Sequence, residues 1–462
     1  MKFVRLTVAL ASVLGFGRAY AFHDGGVAYC EGCHTMHNST GNMSVRSGGT
    51  VDNGVKYLLR GSDQSSTCLS CHANAATGSY HIMTWPTPNW AGGAAPVNFS
   101  PGGDFSWLTS PVRTAPTGSH ATPPAPQRLG HNVIAADYVS GAFGIADPQL
   151  ITAPGGTYAA ANLTCVSCHD PHSNARIIDS SGTIQHTALG SVALPIAGSG
   201  SYGATPVTTT TGTTTTTVAA VGVYRLLGGI GYVPASYTGG PTFKADPPVA
   251  VAPSTYNRSE AATQTRVAYG RGMSEWCANC HVNIHTTVSD GQSAPFIHPA
   301  GSTALLGQSA NLAGTATTNA AIYNAYKASG DLSGNQTSSY LSLVPFEEGT
   351  GNIATLLGHA VTDNSQLGGP TTGNENVMCL SCHRAHASGF GSMTRYSVTG
   401  DEFVTIAGAW PGKDRADVSS AMGIQYSDNW TQAQYTAAMY NYPATSFAYD
   451  QRVLCNKCHA KD

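Results

Sequence analysis

The residues most able to do chemistry in this 462-residue chain are its cysteines, and they follow one rule throughout. All 12 fall in pairs with two residues between them: Cys30/Cys33, Cys68/Cys71, Cys165/Cys168, Cys277/Cys280, Cys379/Cys382 and Cys455/Cys458. Each pair is followed at once by a histidine (His34, His72, His169, His281, His383 and His459), giving the motifs CEGCH, CLSCH, CVSCH, CANCH, CLSCH and CNKCH. Two thiols one helical turn apart can add to the two vinyl groups of one porphyrin, and the next residue then reaches the iron. The pattern predicts six covalent haem c groups, held by thioethers from all 12 cysteines and by six proximal imidazoles. A disulfide framework, paired zinc ribbons and thioredoxin-like dithiols do not call for a histidine after every pair, and no cysteine is left over for them.

With six of the 17 histidines proximal, eleven remain for six irons. That surplus favours bis-histidine coordination, which leaves no open position for a substrate and points to electron transfer rather than an enzyme. His37 in CHTMH, His172 in CHDPH and His386 in CHRAH stand three residues beyond a proximal histidine. They are expected to share a helix face with it and to project toward a neighbouring ring. His131 in LGHN, His298 in IHPAG and His359 in LGHA have glycine or proline beside them, a context suited to presenting an imidazole from a loop. These six are the favoured distal ligands. His23, His81 and His285 are held in reserve, and His120 and His186 are bystanders. Met43, Met83 and Met273 bear no systematic relation to the motifs and are read as packing residues. A multihaem oxyanion reductase would need a five-coordinate haem beside acid/base groups, and no motif carries Lys in place of its histidine.

The elements that must position these groups are sparse. Lys2 and Arg5 precede an apolar run from Leu6 to Phe16, and Ala19-Tyr20-Ala21 offers a cleavage site, so residues 1–21 read as a signal peptide. Residues 22–462 then form a single exported hexahaem unit. The apolar run is shorter than the ~20 residues needed to span a bilayer, and no later stretch is long and apolar enough. Lys+Arg 22 against Asp+Glu 25 gives no nucleic-acid footprint. Only 10% of residues are charged while Gly (53) and Pro (25) recur throughout, so loops dominate. The expected fold class is a multihaem cytochrome c, mostly coil, with sparse short helices wrapped around a linear haem stack and little β structure. Helices are expected at the motifs, through residues 259–276 into CANCH, and around 320–327 and 431–440. The motif spacing is uneven and gives no fixed repeat. The Thr208 to Thr217 tract, broken by Gly212, is a low-complexity segment, either an exposed loop or an extended edge. The 21 tyrosines are expected on porphyrin edges with wet hydroxyls. Porphyrins packed on loops would supply the core, so folding should depend on them.

Long segments carry a resemblance beyond the motifs: FHDGGVAYCEGCHTMHNS, PGGDFSWL, TAPGGTYAA, CVSCHDPH, APSTYNRSEAATQTRVAYGRGMSEWCANCH, YLSLVPFEEGT, CLSCHRAHASGFGSMTRY and LCNKCHAKD. On these the chain resembles the outer-surface hexahaem cytochromes of the OmcS type, which polymerise into electron-conducting filaments. The resemblance implies bis-histidine coordination at every haem, a continuous stack, and copies of the chain joined head to tail outside the cell. It also implies that His37 leaves its own subunit to ligate the haem held by Cys379, Cys382 and His383 of a neighbour. Such a heterologous contact grows into a filament when its rotation does not close. Upstream envelope cytochromes would feed the filament and extracellular acceptors would drain it. The residues alone leave open a monomeric periplasmic or outer-surface shuttle in which His37 serves a haem of its own chain. The Thr-rich tract, His120, His186 and residues 412–429 lie outside the matched segments.

Overall fold

The computed structural model describes residues 30–35, 39–40, 43–44, 58–73, 81–84, 102–109, 129–138, 151–172, 177–178, 184–185, 204–211, 214–221, 227–251, 268–285, 299–308, 318–321, 345–359, 370, 373–388 and 391–395. The expected signal peptide, His23, His37, His120, His186, His298, most of 320–327, all of 431–440, and the sixth motif with Cys455, Cys458 and His459 lie outside these residues.

The described helices are short and gather at the motifs. They are α1 (Cys30–Cys33), α2 (Gln64–His72), α3 (Ser106–Thr109), α4 (Met273–Cys277), α5 (Ile353–His359) and α6 (Cys379–Cys382). The nine-residue α2 is the longest of them, and it starts where the Asp63 carboxylate accepts the Ser66 N–H at 2.7 Å, satisfying an otherwise orphaned donor. The same carboxylate accepts the Ala136 N–H, so one side chain both caps α2 and ties it to a 3-10 turn at Ala136–Tyr138.

The strands among the described residues pair as two-stranded antiparallel ladders, beside isolated single-residue bridges. These join β1 (Ser39–Thr40) to β2 (Met43–Ser44), β3 (Ile177–Ile178) to β4 (Ile184–Gln185), β5 (Ala204–Thr211) to β6 (Thr214–Val221), and β7 (Ala250–Val251) to β8 (Ala268–Tyr269). The β5/β6 pair is regular from Ala204↔Val221 to Thr211↔Thr214, so the threonine tract is extended and paired, as β-branched residues favour. The helix expected through 259–276 is corrected over 268–276, residues 259–267 lying outside the described residues. Ala268–Tyr269 is strand β8, and Gly272 at φ +102° forces a break before α4 can begin at Met273.

Apolar packing is split into small clusters. One gathers Leu69, Met83, Phe105, Trp107, Val133 and Ala387 around α2 and α3. Another gathers Leu227, Ala250, Tyr269, Met273, Met378 and Leu380 between α4 and α6. Met83 and Met273 are therefore core residues. Wet tyrosine hydroxyls are not what Tyr158 and Tyr232 present. The Tyr158 hydroxyl donates to Ser167 Oγ at 2.6 Å, and that of Tyr232 lies 2.6 Å from the Val166 carbonyl, because both rings are buried against the third motif and must satisfy their hydroxyls there.

Candidate metal centres

Successive motifs are tied to each other through backbone and sulfur. Ser65, three residues before Cys68, accepts the Cys165 N–H at 3.0 Å, and Ser274, three residues before Cys277, accepts the Cys379 N–H at 3.1 Å. The same device thus joins the second motif to the third and the fourth to the fifth. In each case the sulfurs follow: Cys68 neighbours Cys165, and Cys277 neighbours Cys379. Serines inside the later motif of each pair finish the turn, since Ser167 Oγ accepts the Thr164 N–H at 2.9 Å and Ser381 Oγ accepts the Met378 N–H at 3.0 Å. All nine cysteines whose side chains are described are free of disulfides. No cluster of three or more His, Cys, Asp or Glu that could hold a bare metal ion occurs among the described residues.

The imidazoles are fixed through one nitrogen. Nδ1 of His131 donates to the Ala385 carbonyl (2.6 Å), that of His281 to the Pro154 carbonyl (2.8 Å) and that of His383 to the Ser392 carbonyl (2.8 Å). A carbonyl can only accept, so each ring carries its proton on Nδ1 and keeps the Nε2 lone pair for a metal. Burial, the largest cause in each case, holds all three below the ordinary histidine range, with His281 lowered to about 4. The neutral ring is the form that ligates.

Three pairs of these rings face each other at almost one distance. Ring centroids are 6.2 Å apart for His34 and His172, 6.3 Å for His131 and His281, and 6.3 Å for His169 and His386. A metal–imidazole nitrogen bond is about 2 Å and each ring centre lies roughly 1 Å further back, so two imidazoles on one iron should stand about 6 Å apart. The observed pairs fit an iron between them, and haem is the group that the flanking cysteines could hold around it. When bound, haem iron supplies a one-electron couple between its ferric and ferrous states.

The helix-face expectation for H-x-x-H does not hold for His172 and His386, while His37 lies outside the described residues. The third motif is a 3-10 turn at Cys165–Ser167, and α6 stops at Cys382, with His383 extended at φ −115°, ψ 158°. His172 and His386 follow on non-helical backbone, and Asp170 Oδ1 accepts the His172 N–H at 3.0 Å to fix the turn. The chain carries each away from its own motif to face the ring of another.

Two glycine-rich loops build the seats. In 102–105 the Phe105 ring stacks on His386 (4.6 Å between centroids, 18°), and a Cβ on Gly102 would lie 2.6 Å from His386 Nδ1. Gly102 also accepts the His386 N–H at 2.6 Å, while His131 N–H donates to the His386 carbonyl at 2.9 Å, so two facing-ring histidines share one backbone node. In 152–160, Pro154 supplies the acceptor for His281, and Gly155, at φ +66°, accepts the Asn283 N–H at 2.8 Å. Sequence reading missed Gly102, Phe105, Pro154 and Ser392 as functional. The only signal was their presence in the segments that carry the resemblance.

Of the other candidates, His359 ends α5 and donates from Nδ1 to Glu348 Oε2 at 2.8 Å. His81 adjoins the end of α2, where the Ile82 N–H donates to the His72 carbonyl at 3.0 Å. His285 has its Nε2 3.2 Å from the Ser274 carbonyl, so that nitrogen is engaged as a donor.

Repeated C-x-x-C-H turns with imidazoles paired across an iron-sized gap define a multihaem c-type cytochrome. No family model matches the chain. Among individual proteins, C-type cytochrome OmcS of Geobacter sulfurreducens is 48% identical over 468 residues, spanning 99% of this chain and 99% of the relative. A cryo-EM structure of OmcS nanowires from the same organism matches with a TM-score of 0.66 at 45% identity, covering 95% of this chain and 100% of that one. A structure of the outer membrane cytochrome S filament matches with a TM-score of 0.64 at 44% identity, again over 95% of this chain and 100% of that one. The chain belongs to the OmcS family of c-type cytochromes, which carry covalent haem c and transfer electrons rather than act as enzymes.

Proposed function

We propose that this protein carries six haem c groups, each gripped by two histidines, and that copies of it join head to tail into an extracellular electron-conducting filament. The observation that carries the reading is the common ring separation of 6.2–6.3 Å in three histidine pairs drawn from distant parts of the chain. His34, His169 and His281 act as proximal ligands opposed by His172, His386 and His131, with His72, His383 and His459 proximal to the remaining irons. Iron saturated on both sides passes electrons and binds no reactant. Neighbouring motifs tied through the Ser65 and Ser274 hydroxyls bring their attachment points together and so keep the cofactors close enough for rapid transfer.

The order of the pairs supports polymerisation through His37. The histidine opposing motif one comes from motif three, and the one opposing motif three comes from motif five. A further step of two runs past the last motif of this chain. The H-x-x-H histidine this progression has not used is His37, and a second subunit placed head to tail would bring it to His383. The two solved relatives are a nanowire and a filament, which favours this over a monomeric shuttle. Upstream envelope cytochromes and extracellular acceptors are the partners such a filament requires.

Electron microscopy and size-exclusion chromatography of holoprotein test the proposal, alongside mass spectrometry for haem count. Filaments from the native chain, discrete protomers from His37→Ala and a mass increment of six haems are expected. Discrete native protomers would return the reading to the shuttle, and fewer haems would overturn the stoichiometry.

A further inference from the structure

The Nδ1 acceptors of His131, His281, His383 and His359 are not all of one kind. His131, His281 and His383 meet backbone carbonyls, whereas His359 meets a carboxylate, Glu348 Oε2, at 2.8 Å. The glutamate side chain is 2% exposed and the imidazole 29%. This acceptor is rigidly placed. The Glu348 N–H donates to the Tyr269 carbonyl at 2.8 Å and the Gly349 N–H to the Gly270 carbonyl at 3.0 Å, which locks 347–349 alongside β8. Its neighbour Glu347 turns to the Met273 N–H and Asn376, so adjacent carboxylates serve different groups. On the other side, Asn352 Oδ1 accepts the Thr355 N–H at 3.1 Å to start α5, and buried Leu356 anchors the helix that ends in His359.

We infer that Glu348 is a positioning and tuning residue for the haem iron ligated by His359, lowering that iron's reduction potential below the value a carbonyl acceptor would give. The inference rests on the proposed bis-histidine haems and on the expectation from the sequence that His359 is an axial ligand to one of them. A carboxylate pulls on the Nδ1 proton harder than a neutral carbonyl, which makes Nε2 a stronger donor to the metal. Stronger donation, together with a nearby negative charge in a poorly solvated site, stabilises ferric over ferrous iron. The protomer would then contain one site set chemically apart from those backed by peptide carbonyls, and its potential would be governed by a side chain open to substitution.

Spectroelectrochemical titration of assembled holoprotein, with electron paramagnetic resonance for spin state, tests this in three variants. Glu348→Gln keeps an oxygen acceptor for Nδ1 but removes the charge. The expected result is an upward shift in one midpoint, with the other five unmoved and every iron still low spin. Glu348→Asp, which keeps the charge, should retain the native midpoint more closely than glutamine does. His359→Ala should convert one iron to high spin. An unmoved set of midpoints in Glu348→Gln, with His359→Ala giving one high-spin iron, overturns the tuning role while leaving the ligand in place. Six low-spin irons in His359→Ala overturn the ligand assignment itself.

Discussion

His34 and His172 lie with their ring centroids 6.2 Å apart and their planes 12° from parallel, although one belongs to the first C-x-x-C-H motif and the other follows the third. The near-parallel planes contrast with the 48° and 52° of the other two pairs, so the three ring pairs differ in orientation while sharing one separation.

Replacing His172 by Ala is therefore expected to unload one face of the iron at His34 and of no other. Electron paramagnetic resonance of the oxidised protein should show one high-spin signal with the rest low spin. His172→Met should instead raise one midpoint, since a thioether favours ferrous iron. A wholly low-spin alanine variant would mean that the two rings do not share a metal.

Gly102→Ala should act on His386 without altering any ligand. Its Cβ would fall 2.6 Å from Nδ1 of a ring already stacked on Phe105, leaving the imidazole little room to retreat. A stability loss of about 1–3 kcal/mol is expected from overpacking, measurable by denaturant titration. It should be accompanied by partial high-spin character at one iron.

Ser65→Ala and Ser274→Ala each strip the acceptor from the first cysteine N–H of the following motif. Either change should cost about 1–3 kcal/mol because a poorly solvated donor is left unmet. Hydrogen exchange should speed up at Cys165 in the first variant and at Cys379 in the second, and not the reverse.

Glu347 gives the fold a pH dependence of defined sign. Burial pushes its carboxyl up to about 7 from 4.5, against the lowering effects of Asn376 and the Met273 N–H. The folded state holds this proton where the unfolded chain has lost it, so stability is fullest below pH 4.5. It falls as pH rises toward 7 and levels off above. The full effect is on the order of 3 kcal/mol. Glu347→Gln should flatten that part of a stability–pH curve, and an unchanged slope would show that the proton is not retained.

The C-x-x-C-H motifs were legible because thioether attachment calls for contiguous residues, so Cys68-Leu69-Ser70-Cys71-His72 announces itself. Partner choice was half legible. His131, His172 and His386 were favoured and do lie 6.2–6.3 Å from the motif rings of His281, His34 and His169, but for His172 and His386 the helix-face reason was wrong, because the turns at Cys165–Ser167 and after Cys382 end the helix first. The acceptors were hidden for a physical reason. Pro154, Ala385 and Ser392 act through backbone carbonyls that every residue possesses, so side-chain identity carries no mark of the task. Glycine was informative only as punctuation until Gly102 proved to be the floor beneath an imidazole. The strand at Ala268–Tyr269 was masked by a helical-looking stretch because its partner, β7, supplies the preference for extended backbone from elsewhere in the chain.

The crossed origin of the facing rings also constrains the order in which the molecule can be completed. A chain emerging amino end first presents His34 long before residue 172 exists to oppose it, and His169 long before residue 386. Each early cofactor would pass a stage with one side open, and a truncation before residue 172 or 386 would strand it there. Integrity at the beginning of this polypeptide is thus decided by what arrives later.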